Sequence, residues 1–147
     1  MHDVWKQFEE NDITHSAAHH LIAIRELRKT RGYARVTDVA KHLNITTGSA
    51  STNLKSLKSK GLIIEDENRF LNLSPQGESL AEAVESRKHI FYHFLVDVLN
   101  VSHDQAEIDA CKTEHLISSE TARKLQDFLN KQLDQQTKTK KKLNQAA

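Results

Sequence analysis

Apolar residues recur at helical spacing through most of the chain. Ala17, Leu21, Ile24 and Leu27 predict a helix over residues 16–30, ended by Gly32. Val36, Val39, Ala40 and Leu43 predict a short second helix. Ala50, Leu54 and Leu57 predict a third over 47–60, with Thr46 or Thr47 as N-cap and Gly61 as its stop. The period then changes: Leu62-Ile63-Ile64 and Arg69–Leu73 flank the polar turn Glu65–Asn68, the pattern of a hairpin. Ser74-Pro75-Gln76-Gly77 opens a long helix to about Leu99, with Leu80, Val84, Phe91, Leu95 and Val98 as its apolar stripe. A helix holding Cys111 follows, and Ser118 or Ser119 caps another that carries Ala122, Leu125, Leu129 and Leu133. One Pro and four Gly in 147 residues leave little to interrupt such helices.

This order predicts a mainly α protein. A short helix, a tight turn, a second helix and a β-hairpin form a winged helix-turn-helix, placed over residues 1–75. An all-helical domain occupies 76–135. The segment 136–147, with Lys138 and Lys140–Lys142, reads as a basic tail without structure.

Charge adds a division of labour. Residues 25–60 hold nine Lys or Arg against two acidic residues, a net of +7, whereas residues 76–134 hold six basic against eleven acidic, a net of −5. The first segment suits a polyanion and the second suits cations. No apolar run approaches the roughly 18 residues that span a bilayer. The start, Met1-His2-Asp3-Val4-Trp5-Lys6, lacks the basic-then-apolar order of a secretion signal. A soluble, cytoplasmic protein is expected, and Cys111, as the single cysteine, excludes an internal disulfide.

The third helix is the candidate reader of DNA. Its core stripe leaves Ser49, Ser51, Thr52, Asn53, Lys55 and Lys58 on the other sides, with Thr46 and Thr47 at its start. Short hydroxyl and amide groups allow close approach to base edges, and the lysines suit phosphates. A helix N-terminus has its own affinity for phosphate. In the hairpin, Arg69 is placed to touch the backbone or minor groove.

Glu107, Cys111, Glu114 and His115 stand at i, i+4, i+7 and i+8, so a helix aims all four to one side. A thiol, two carboxylates and an imidazole make a poor core face and a good face for a divalent metal. His89 and His93, four apart, are predicted to lie nearly opposite the apolar stripe of the long helix. In the first helix, His15 and His19 share a face, while His20 sits nearer the apolar stripe and reads as structural.

These residues resemble the metal-dependent repressors of the diphtheria toxin repressor and manganese transport regulator family, in a two-domain form. The resemblance runs from about His19 to Leu125. It is carried by Gly32–Ala40, by Leu73-Ser74-Pro75-Gln76-Gly77, and by Asp109-Ala110-Cys111 followed by Glu114-His115-Leu116 and Ser118. It implies that the helical domain binds metal and dimerises. It implies a primary site of Cys111, Glu114 and His115 with His19 from the first helix, for which His15 or His20 are alternatives. It implies an ancillary site of His89, His93 and Glu107, the family's ligand types in permuted order. Ile22 stands where the manganese branch has a second carboxylate. Fe(II) is therefore expected over Mn(II), with Zn(II) possible. The partners implied are a second copy of the chain and double-stranded DNA carrying a palindromic operator.

Two rival readings differ in class. A winged-helix regulator controlled by an organic ligand would bind its operator without metal. An enzyme would need a motif that is missing here: there is no His-Glu-x-x-His, Gly-rich phosphate loop or nucleophile elbow. No enzymatic activity is expected.

Overall fold

The computed structural model describes residues 13–146. His2 and the N-terminal residues read above for a leader lie outside the described residues. Two compact units divide between Glu85 and Ser86, later than the expected 75/76 boundary.

The first unit is the winged helix-turn-helix. Helix α1 (His15–Arg31) starts where Thr14 Oγ1 accepts from Ala17 N at 3.2 Å, and ends at Gly32, whose left-handed φ of 83° few other residues tolerate. Helix α2 (Val36–Leu43) begins with Asp38 Oδ2 accepting from Arg35 N at 3.0 Å and stops at Asn44, also left-handed. Helix α3 (Thr47–Ser59) is capped by Thr46, whose Oγ1 accepts from Ser49 N at 3.1 Å. Strands β1 (Ile63–Glu65) and β2 (Leu71–Leu73) pair antiparallel in the register Ile63↔Leu73, Ile64↔Asn72, Glu65↔Leu71.

The strands are shorter than the apolar run suggested, because Arg69 and Phe70 belong to the turn. Asp66 Oδ1 accepts from the backbone N–H groups of Asn68 and Phe70, both at 2.9 Å, and Arg69 takes a φ of 66°. Leu21, Ile24, Val39, Ala50, Leu54, Leu57, Ile63 and Leu71 form one core beneath the wing and the helices.

Helix α4 (Pro75–His93) explains the late boundary. Its first turns belong to the winged helix: Ala81 and Val84 are buried in that same core. Ser74 Oγ caps it, accepting from Gly77 N at 3.1 Å while donating to Gly61 O at 2.6 Å. Gly77 is required there, since a Cβ would stand 2.0 Å from the Leu62 carbonyl oxygen. Arg25 of α1 also reaches Glu78 and Glu85 on this helix.

The second unit contains the rest of α4, a π-helical turn (Phe94–Val98), α5 (His103–Thr113) and α6 (Ser119–Ala146). Ile90, Ala122 and Leu129 are its buried cluster, with Phe94, Val98, Ile117 and Leu125 packed against them. So α4 does not keep one stripe throughout. Its second half turns Ile90 inward, and Phe94 of the π-helical turn packs on the same cluster; His89 is exposed and His93 half-buried, both outside that cluster, at the edge of a cavity they share with Ile90 and Leu129.

The expected disordered tail is helical. α6 continues through Ala146, because Gln, Lys, Leu and Asn are adequate helix formers and no Gly or Pro follows Gly77.

Candidate nucleic-acid interface and metal centre

In the first unit the open side of α3 carries most of the predicted DNA-facing residues. Thr46, Thr47, Ser49, Thr52, Lys55 and Lys58 are exposed, and Ser51 is half-buried. Thr52 Oγ1 donates to Gly48 O at 3.0 Å, which leaves an oxygen lone pair outward. Asn53 is different: its Nδ2 donates to Ser49 O at 3.1 Å, and its Oδ1 accepts from Ser16 Oγ of α1 at 3.3 Å. Its amide is turned to the neighbouring helix rather than to the open face.

A groove of about 540 Å³ runs between α3 and the wing, lined by Arg35, Thr37, Ser51, Lys55, Lys58 and Arg69 among others. Glu65 on β1 holds two of these cations, with Lys58 Nζ at 3.6 Å and Arg69 Nη1 at 3.3 Å. Arg35 lies over the Phe70 ring, 4.7 Å from its centroid. Sequence reasoning missed Arg35 and Thr37 as members of this face. They precede or open α2, and only the folded wing brings them beside α3.

On α1, His20 is 2 % exposed, and its Nδ1–H donates to Ser16 O at 2.6 Å. It is the core histidine that its position predicted. His15 and His19 stack edge to face, with ring centroids 4.4 Å apart. Ile22 packs against the core of the first unit and so supplies no donor there.

In the second unit, α5 ends at Thr113, and the αR conformation of Glu114 keeps the turn going, with Glu114 N donating to Ala110 O at 2.9 Å. Cys111 and His115 are half-buried, and Glu114 is only 1 % exposed. Burial pushes the Cys111 thiol above its ordinary pKa, the carboxylates of Glu114 and Glu107 add to the rise, and Lys88 opposes it. Lys88 responds in kind. Burial alone would lower its pKa, but its bond to Glu107 and the charges of Glu107, Cys111 and Glu114 raise it. The end of α5 is thus a region of negative potential holding sulfur, oxygen and nitrogen donors, which fits a divalent transition metal. Glu107 is exposed, with its Oε1 2.5 Å from Lys88 Nζ. His89 and His93 stack as His15 and His19 do, with centroids 4.4 Å apart.

Residues 74–140 match the family model of the iron dependent repressor, metal binding and dimerisation domain. The chain carries this domain and is similar to metal-dependent repressors of the diphtheria toxin repressor and manganese regulator type. Among these repressors, it is 28% identical over 116 residues to the HTH-type transcriptional regulator MntR of Lysinibacillus sphaericus (strain C3-41), covering 79% of this chain and 83% of the relative. It is 26% identical over 120 residues to the iron-dependent repressor IdeR of Mycobacterium leprae (strain TN), covering 82% of this chain but 52% of that protein. The chain therefore spans about half the length of the iron-dependent relative. In fold it resembles the manganese regulator SloR, with a TM-score of 0.70 at 24% identity over 78% of this chain and 53% of the other. Its relatives are transcriptional repressors, and no helix among the described residues is long and apolar enough to cross a membrane.

Proposed function

We propose that this chain is a DNA-binding transcriptional repressor in iron or manganese homeostasis, whose operator affinity is raised by a divalent transition metal. The observation that carries this reading is the end of α5. There the Cys111 sulfur and the buried Glu114 carboxylate offer ligand atoms within 4.8 Å of one another inside the matched metal-binding domain, and His115 is the next residue along the chain.

The primary ligands we assign are those three with His19 of α1, and His15 is the alternative from the same face. The ancillary histidines are His89 and His93. The resemblance supplies Glu107 as their third partner. A bound ion would offset the charge of Glu114 and Glu107, which adds to burial in raising the Cys111 pKa and which raises that of Lys88. Its influence on DNA binding is limited by the difference in its affinity for the competent and incompetent states.

On the DNA side, Thr46, Thr47, Ser49, Ser51 and Thr52 are the base-reading set, and Lys55, Lys58 and Arg69 are phosphate contacts. The engaged amide of Asn53 makes it the weakest member. Exposed Leu99, Ile108, Leu116 and Phe128 in the second unit supply apolar surface for a homodimer. A dimer suits a palindromic operator in the cytoplasm.

Fe(II) is the metal we favour over Mn(II). A thiolate and imidazoles form a softer set than an oxygen-rich manganese site, and Ile22 removes a carboxylate. Zn(II) binds the same donors, so selection rests on geometry and metal supply.

The test is operator affinity of chelator-treated protein against protein loaded anaerobically with buffered Fe(II), Mn(II) or Zn(II). Tight binding only in the loaded states, with Fe(II) effective at the lowest free concentration, supports the reading. Equal affinity with and without metal sinks the switch and favours control by an organic ligand.

A further inference from the structure

Helix α6 changes character part-way along its length. Over residues 119–134 its charges balance, with Glu120, Asp127 and Asp134 against Arg123, Lys124 and Lys131. This half carries the buried Ala122 and Leu129. Residues 135–147 hold Lys138, Lys140, Lys141 and Lys142 and no acidic residue. The helix nevertheless continues to Ala146, and from Leu133 onward every described side chain is exposed. The buried face and the charge balance therefore end at the same turn.

Lys138 stands three and four residues from Lys141 and Lys142, so the three share one face. Like charges at those spacings oppose helix formation. Asp134 is one turn before Lys138, and no carboxylate lies within a turn of the other three in sequence. The helix dipole does not account for the cluster, because the last turn holds no basic residue and the dipole's influence fades beyond that turn. Exposed cations that repel one another gain most from an external polyanion.

The composition of the segment selects among polyanions. Protein interfaces concentrate aromatic residues and Arg and are poor in Lys, whereas residues 135–147 contain no aromatic residue and no Arg. Binding to an anionic lipid surface needs an apolar face beside the basic one, and Leu143 is the single large apolar residue of the segment. Lysines, as point charges on flexible stems, suit phosphates along a nucleic-acid strand without regard to base sequence.

We infer that Lys138, Lys140, Lys141 and Lys142 of distal α6 form a second nucleic-acid contact, made by residues other than those of α3 and the wing, whose partner is the phosphate backbone of double-stranded DNA. The inference rests on the repressor reading, which brings the chain to duplex. The contact adds affinity for any DNA and leaves base preference to α3. The bland alternative is a solvated helix end whose lysines serve solubility alone.

The probe is a scrambled duplex, and the readout is the slope of log affinity against log salt for the full chain loaded with Co(II). A quadruple variant carries Lys138→Gln, Lys140→Gln, Lys141→Gln and Lys142→Gln, since Gln keeps the helix propensity of Lys. Its slope should fall by about 0.9 for each lost phosphate contact, and its affinity at low salt by about 10-fold or more. Lys124→Gln with Lys131→Gln, from the balanced half of α6, should change neither. Circular dichroism confirms that the variants keep their helix content.

An unchanged slope and affinity in the folded quadruple variant overturns the inference. Lys55→Ala keeps that outcome apart from the repressor reading: if it lowers the slope while the quadruple variant does not, α3 binds DNA and distal α6 does not. A wild-type chain that binds no duplex at any salt concentration sinks the reading and the inference together. The quadruple variant could instead alter sedimentation of the protein alone, or its retention on phosphatidylserine vesicles, with the duplex slope unchanged. The partner would then be another copy of the chain or a lipid surface, and the inference is again overturned.

Discussion

Arg25 of α1 donates from Nε to Glu78 Oε1 of α4 at 2.6 Å, and its Nη1 contacts Glu85, the last residue of the first unit. Burial by itself would lower the pKa of this guanidinium, but the bonds and charges of the two carboxylates raise it. One forked side chain thereby ties the first turns of α4 to the winged helix. Both carboxylates retain contact with water, which limits the energy of the tie. Arg25→Ala should lower the unfolding free energy by about 1 kcal/mol, read as a shift in urea midpoint. Arg25→Lys should recover less than half, because an ammonium cannot serve both carboxylates in one plane. No change for Arg25→Ala would show the contact to be energetically neutral.

Gly77 offers a sharper test of the same junction. Its missing Cβ leaves room for the Leu62 carbonyl oxygen, and the clash in any replacement is with backbone rather than with a movable side chain. Gly77→Ala should destabilise the protein by about 3 kcal/mol or more, despite alanine's better helix propensity. Gly48, with nothing near its would-be Cβ, is the control: Gly48→Ala should leave stability unchanged or raise it slightly. A Gly77→Ala protein as stable as wild type would disprove the close approach.

DNA binding should separate hydroxyl from charge. Thr52→Ala should relax preference for the operator over a scrambled duplex, whereas Lys55→Ala should weaken both duplexes alike and reduce the salt slope by about 0.9 per lost phosphate contact. Asn53→Ala should cost stability through its bond to Ser16 more than it costs specificity. Operator titrations across a range of salt concentrations check all three, and a loss of specificity in Asn53→Ala equal to that in Thr52→Ala would contradict the orientation of its amide.

Metal should also stabilise the fold directly. An ion at one hundred times its dissociation constant adds about 2.7 kcal/mol, several degrees of Tm for a chain of this length. Glu114→Gln and Cys111→Ala should each remove most of that rise, and His115→Ala should do the same. His20→Ala should lower Tm with and without metal alike, since His20 belongs to the core. Thermal scans with chelator and with excess Co(II) make the comparison.

Much of this was legible in the chain because caps and stops are local chemistry. Thr46, Gly32 and Gly61 mark helix ends by what their own atoms can do, and α2 begins and ends where its apolar positions predicted. The i, i+4, i+7 and i+8 stripe rested on helix periodicity alone, whereas α5 ends at Thr113, so Glu114 and His115 stand in the turn after it, with Glu114 buried and Glu107 exposed. What sequence reasoning missed came from tertiary context. One helix serves two cores, so Ile90 and Phe94 point inward where a single continuous stripe had predicted Phe91. Asn53 was drawn toward α1 by Ser16, a residue far away in sequence. The tail had the composition of a solvated segment, but a helix already propagating from Ser119 extends into it at little cost per residue.

Glu65 has a bearing on how the protein finds its operator. It is a resident counter-ion, already neutralising part of the charge on Lys58 and Arg69 when no nucleic acid is near. If Lys58 and Arg69 contact phosphates as proposed above, each phosphate must displace a carboxylate that is covalently part of the protein, rather than a mobile anion, so each such contact would release less to solution. Random duplex should therefore be held more loosely than the cation count suggests, and a loosely held protein would leave wrong sequences sooner. Glu65→Gln should reverse this: tighter binding everywhere, a steeper salt slope, and poorer discrimination between operator and bulk DNA.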